Sequence, residues 1–145
     1  MTAPPAPLLK VLFVCLGNSC RSQMAEGWAN HLGNGQVQAF SAGTHPYGEI
    51  AGETYDVMHE KGLPLEAHCS KGLGDVPVGE MDVVVKMGSE VAFSLPEGFQ
   101  GRVEDWNIPD PFGRGVVVFR NVRDMIERQV LGLLAEIVKP RPSGP

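Results

Sequence analysis

The sequence predicts an α/β fold: a single three-layer domain with a central four-stranded parallel sheet and helices on both faces. Three observations lead there. β-rich apolar runs alternate with segments of helical spacing between Lys10 and Val138. A chain of 145 residues suits one domain that can bury a sizeable core. No internal repeat or inter-domain linker interrupts it. Strands that alternate with helices in this way imply parallel pairing through right-handed crossovers.

The elements follow in order. Residues 10–14, KVLFV, form an apolar run of the kind a doubly buried strand carries. SQMAEGWANHLG then places Met24, Trp28 and Leu32 at helical spacing, with Gly33 as a stop. QVQAFS (36–41) predicts a second strand. EIAGETYDVMHEKG (49–62) predicts a second helix, ended by Gly62. DVVVKM (82–87) predicts a third buried strand, and SEVAFSL (89–95) a short helix. GRVEDWNI (101–108) predicts a fourth strand, broken by PDPFG. The longest helix is predicted over Val117–Val138, with Phe119, Val122, Ile126, Val130, Leu133 and Ile137 on one face. Residues 1–9 are expected to be a disordered leader, 10–139 the domain, and 140–145 a flexible tail.

Composition narrows the function. A net charge of -5 argues against general nucleic-acid binding or binding to an anionic membrane. No apolar run approaches a membrane span, and the N-terminus lacks the basic and apolar regions of a secretory signal. Three cysteines, an odd number, fit reduced thiols of a cytoplasmic protein better than a disulfide framework. Cys15, Cys20 and Cys69 come without a CxxC pair or paired histidines, so no zinc site is expected. No metal or organic cofactor is implied.

The most informative stretch is FVCLGNSCRS, residues 13–22. A cysteine at the end of a core strand can be a small buried hydrophobe. Its position between a predicted strand and a predicted helix favours a chemical role. Gly17 frees the backbone to curl, so that successive N–H groups face one anion at the start of a helix. Arg21 adds a planar fork matched to a tetrahedral oxyanion. The same positive field favours the ionised form of a cysteine such as Cys15, to which Ser22 can donate a hydrogen bond. A phosphomonoesterase also needs a proton donor for the leaving oxygen. Asp110, in IPDPFG, is placed for that at the same end of the sheet, and Pro111 stiffens its loop.

With these residues in view, the chain resembles the low-molecular-weight protein tyrosine phosphatase family and the arsenate reductases that share its phosphatase I-like fold. The resemblance runs from about Lys10 to Val138 and is carried by VCLGNSCRS, SAGT, AHCSK and DPFG. It implies Cys15 as nucleophile, Arg21 as oxyanion clamp and Asp110 as general acid, then base. Leu16, Gly17, Asn18, Ser19, Cys20 and Ser22 complete the oxyanion loop. Asn18, Ser22, Ser41 and His68 match positions that hold the loop in shape, for His68 a structural duty in either case. Cys20 is a candidate redox partner that would shield Cys15 as a disulfide. Cys69 matches nothing in the family pattern and reads as incidental.

The branch of the family is mixed. GNSCRSQMAEG, SAGTHP and VMHEKG lean toward arsenate reductases. Thioredoxin-coupled members carry two further cysteines around the segment after the third strand, where this chain has Met87 and Ser94. A disulfide relay cannot pass through those side chains. Tyr47 and Phe112 fall where aromatic walls hold a substrate ring. Trp106 fits either the core or the underside of the Asp110 loop. The reading from sequence is therefore a cysteine-dependent phosphomonoesterase acting on a phosphoprotein. The alternative is an arsenate reductase served by glutathione, mycothiol or a thioredoxin-like protein. Ser19, at a position where a threonine favours phosphoarginine, keeps an arginine phosphatase open, and a non-catalytic oxyanion-binding module is the remaining option.

Overall fold

In the computed structural model, which describes residues 7–138, the first apolar run becomes β1 (Leu9–Cys15). It is followed by α1 (Arg21–Leu32), β2 (Val37–Gly43), α2 (Gly52–His59), β3 (Val83–Met87), β4 (Arg102–Trp106) and α3 (Val116–Ile137). The expected leader contributes Leu9 to β1; residues 1–6 and the expected tail, 140–145, lie outside the described residues. The four strands form one parallel sheet in the order β2-β1-β3-β4.

β1 is buried on both sides because every second residue serves a different layer. Val11, Phe13 and Cys15 join one core cluster, and Leu12 and Val14 the other. β3 repeats the pattern, with Val83, Val85 and Met87 on the first side and Val84 on the second. The three α-helices all pack into the first cluster. α3 supplies Phe119, Val122, Ile126, Val130 and Leu133 at helical spacing, none more than 3% exposed. Full burial of one such side chain is worth roughly 1.5–3 kcal/mol. Arg123 ties α3 to the end of α2, donating to the Val57 carbonyl at 2.9 Å and to Glu60 at 2.6 Å.

The second face is covered too, by two short 3-10 helices (Leu73–Asp75 and Val78–Glu80) and irregular chain rather than by α-helices. SEVAFSL corrects its expectation, for it is not a helix. Gly88, at φ +134°, begins a single turn closed by Val91 N–H to the Gly88 carbonyl at 3.2 Å. Beyond it Val91, Phe93 and Leu95 point to the second core cluster while Ala92 and Ser94 are exposed. Their period is two, which suits extended chain and not a helix.

This topology fixes where a ligand can sit. The chain leaves β1 toward β2 on one side and returns to β3 on the other. A crevice opens beyond the carboxyl ends of the strands where such an order reverses. Here those ends are Cys15 and Met87, on paired neighbouring strands.

Candidate active site

Residues 16–20 carry the chain from β1 into α1, and neighbouring segments hold their backbone down. Thr44 N–H donates to the Cys15 carbonyl (3.0 Å), His45 N–H to Leu16 (2.8 Å) and Tyr47 N–H to Gly17 (2.9 Å). On the other flank the Thr54 hydroxyl donates to the Ser19 carbonyl at 2.9 Å, and Ala51 N–H to Ser19 Oγ at 3.0 Å. Two glycines make the close approach possible. A Cβ on Gly43 would lie 2.7 Å from the Leu16 carbonyl oxygen, and one on Gly17 would lie 2.5 Å from the Tyr47 ring.

At the centre of the loop Asn18 is fully buried in the left-handed region, at φ 50°. Asparagine tolerates that conformation better than most residues with a Cβ. Its side chain also organises the loop. Lys71 N–H, necessarily a donor, points at Asn18 Oδ1 over 2.8 Å, which directs the Asn18 amide NH₂ to Ser22 Oγ at 2.8 Å. The Ser22 hydroxyl, already accepting there, has its own proton free for Cys15 Sγ at 2.9 Å. A backbone N–H is thus linked through two buried side chains to the cysteine sulfur.

Gln23, also fully buried, braces the same network. Its amide nitrogen donates to Asn18 Oδ1 (2.8 Å) and to the Cys69 carbonyl (2.9 Å), leaving its oxygen to accept from His68 Nδ1 at 2.9 Å. That places the proton of His68 on Nδ1. Ser41 stands one step further back, donating to Glu26 at 2.6 Å, while Lys71 Nζ donates to Ser41 Oγ at 3.3 Å. Cys69 contributes its carbonyl to the network; its side chain is exposed.

Arg21, the first residue of α1, is only 2% exposed. One of its terminal nitrogens donates to the carbonyls of Met87 (2.7 Å) and Ile108 (3.1 Å). The other pairs with Glu90 and lies 3.7 Å from Asp110 Oδ2. Asp110 in turn accepts the Phe112 N–H at 3.0 Å. Cys15, Arg21 and Asp110 therefore line one recess, shared with Gly17, Ser19 and Cys20. Tyr47 and Phe112 border it too, with ring centroids 5.4 Å apart at 62°. Trp106 belongs to the core, packed on Phe13 at 5.6 Å between centroids.

Electrostatics single out Cys20. Burial pushes the Cys20 thiol up to about 12, with Asp110 and Cys15 adding to the effect against hydrogen bonds from Thr54 and Ser19. Cys20 is then a neutral thiol near pH 7. Burial also raises the Tyr47 hydroxyl above its ordinary value, reinforced by the Asp110 carboxylate.

Several residues at this site escaped the sequence reading: Gln23, Glu26, Thr54, Lys71 and Glu90. Each acts through partners distant in the chain, up to 69 residues away for Glu90. The one local hint was polarity at Gln23 and Glu26 in the otherwise core-facing stretch of α1.

A cysteine loop, an arginine and a carboxylate thus meet at the end of a parallel sheet, the frame of a cysteine-based enzyme. The chain belongs to the low molecular weight phosphotyrosine protein phosphatase family, whose profile matches residues 10–143. It is 35% identical over 129 residues to a glutaredoxin arsenate reductase of Synechocystis, covering 88% of this chain and 98% of the relative. Among solved structures it resembles an arsenate reductase in the phosphate-binding state, with a TM-score of 0.80 and 35% identity, covering 90% of this chain and 99% of that one. The YwlE arginine phosphatase with a phosphorylated active-site serine gives a TM-score of 0.74 at 25% identity, over 92% of this chain and 98% of that one.

Proposed function

We propose that the protein is an arsenate reductase that draws its electrons from an external thiol. Convergence of Cys15, Arg21 and Asp110 on one recess carries the oxyanion chemistry. The choice of arsenate rests on likeness to arsenate reductases across almost the whole chain. In this reading Arg21 and the loop N–H groups hold three oxygens of arsenate while Cys15 attacks arsenic. Asp110 protonates the displaced oxygen, which leaves as water. An outside thiolate then attacks Cys15 Sγ. The electron pair of the breaking S–As bond stays on arsenic, which departs as arsenite, and the mixed disulfide yields to a second thiol. In sum, arsenate and two thiols give arsenite, one disulfide and water.

An external thiol is favoured because Met87 and Ser94 offer no sulfhydryl and burial holds Cys20 as a neutral thiol near pH 7. A second reading, phosphomonoester hydrolysis, is favoured by the Tyr47–Phe112 pair at the recess, which suits an aromatic leaving group. One experiment separates the two. Reduced protein is given arsenate with glutathione, mycothiol or thioredoxin in turn, and separately an aryl phosphate. Multiple turnovers of arsenite with any thiol support the reductase. Sustained aryl phosphate hydrolysis without arsenite production would replace it with the phosphatase.

A further inference from the structure

We propose that Glu90 is a positioning residue for Arg21, holding the guanidinium so that its free edge faces the bound oxyanion. The inference rests on the oxyanion reading of the loop, whether the central atom is arsenic or phosphorus. Three observations carry it.

The first is a count of donors. A guanidinium has five N–H groups in a rigid plane. Both hydrogens of one terminal nitrogen are used by the Met87 and Ile108 carbonyls, at 2.7 and 3.1 Å. Glu90 takes one hydrogen of the other terminal nitrogen. What is left is Nε–H, which donates to none of the described residues, and the second hydrogen of the nitrogen that Glu90 holds. Nε and that nitrogen flank one edge of the guanidinium plane, the fork that a tetrahedral oxyanion accepts. The second observation is location. Glu90 is not among the residues lining the recess, so it grips the arginine from outside and leaves the anion's place open.

The third observation is the turn that carries Glu90. Gly88 adopts φ +134°, and a Cβ there would collide with the Arg21 terminal nitrogen that binds the two carbonyls and stand 2.6 Å from the Glu90 carboxylate. The turn after β3 fits closely around this ion pair. Partial burial opposes ionisation of Glu90, yet the hydrogen bond and charge of Arg21 hold its carboxyl below the ordinary value. An arginine only 2% exposed also needs a counter-charge while no oxyanion is bound.

The test compares Glu90→Ala, which removes grip and charge, with Glu90→Gln, whose amide oxygen still accepts from Arg21. Inorganic phosphate is the probe, its affinity read as protection of Cys15 from alkylation in a Cys69→Ser background. Arsenite production at saturating arsenate is measured alongside. Glu90→Ala is expected to weaken phosphate roughly 10-fold or more and to lower turnover by about 10- to 100-fold, the scale of an ångström of misplacement. Glu90→Gln should restore most of both, with thermal midpoints of the two variants alike. Phosphate protection within about 2-fold of wild type in Glu90→Ala, or failure of Glu90→Gln to rescue at equal thermal stability, would overturn the proposal. Absence of phosphate protection in the unsubstituted protein would instead overturn the oxyanion reading beneath it.

Discussion

Asn18→Ala tests whether the loop between β1 and α1 is held as described. The substitution acts in two ways. It deprives the part-buried Lys71 N–H of its 2.8 Å acceptor, and leaving such a donor unpaired costs about 1–3 kcal/mol. It also replaces asparagine, which tolerates the left-handed region, by alanine at φ 50°, adding up to about 2 kcal/mol. The expected loss is about 1–5 kcal/mol, which at about 3 °C per kcal/mol for a chain of this length lowers the thermal midpoint by about 3–15 °C. Asn18→Gly separates the two causes, because glycine accepts the left-handed conformation but still leaves Lys71 N–H unpaired. It should melt about 3–6 °C above Asn18→Ala. The assay is thermal unfolding of the three proteins followed by circular dichroism, with reduced thiols. An Asn18→Ala midpoint within about 2 °C of wild type would refute the bracing role of Asn18. A glycine variant no more stable than the alanine variant would refute the strain.

Other predictions concern catalysis and pH. Asp110→Asn should slow release of poor leaving groups far more than good ones, by about 100- to 10,000-fold for the poor ones; equal losses on aryl and alkyl phosphates would assign the proton to another group. Replacing Phe112 with alanine removes the edge-on contact with Tyr47, worth about 0.5–1.5 kcal/mol, and should raise KM for an aryl phosphate by about 2- to 10-fold with arsenate KM unchanged. Hydrogen bonds from Arg120 and Arg123 lower Glu60 to about 2. A depressed carboxyl adds stability that is present above its unfolded value and fades as pH falls from there toward 2. Between pH 6 and pH 3 the wild-type midpoint should therefore drop more than that of Glu60→Gln; parallel pH profiles would show that the ion pairs linking α2 and α3 contribute nothing.

Much of the fold was legible because its signals are local. The runs of β1 and β3 and the apolar face of α3 state their own periodicity, and topology then brought Cys15 and Asp110 to one recess. SEVAFSL is extended rather than helical because its spacing, not its apolar content, decides the conformation. Val91, Phe93 and Leu95 alternate, and alternation means extended chain. The supporting network was illegible for a different reason. Gln23 meets His68, and Arg21 meets Glu90, across 45 and 69 residues through side chains with many other possible partners. No spacing rule selects such pairs. The second follows from the sheet order that sets β1 beside β3, the first from the segment that bridges at Gly72 to Gly43 at the end of β2.

The most direct test of the proposed chemistry is arsenite release by a Cys20→Ser/Cys69→Ser protein with excess external thiol, set beside the Cys15→Ser variant. If Cys15 attacks arsenate and an outside thiol completes the cycle, the double variant turns over many times and Cys15→Ser not at all. Loss of turnover in the double variant, or its survival in Cys15→Ser, would contradict that chemistry.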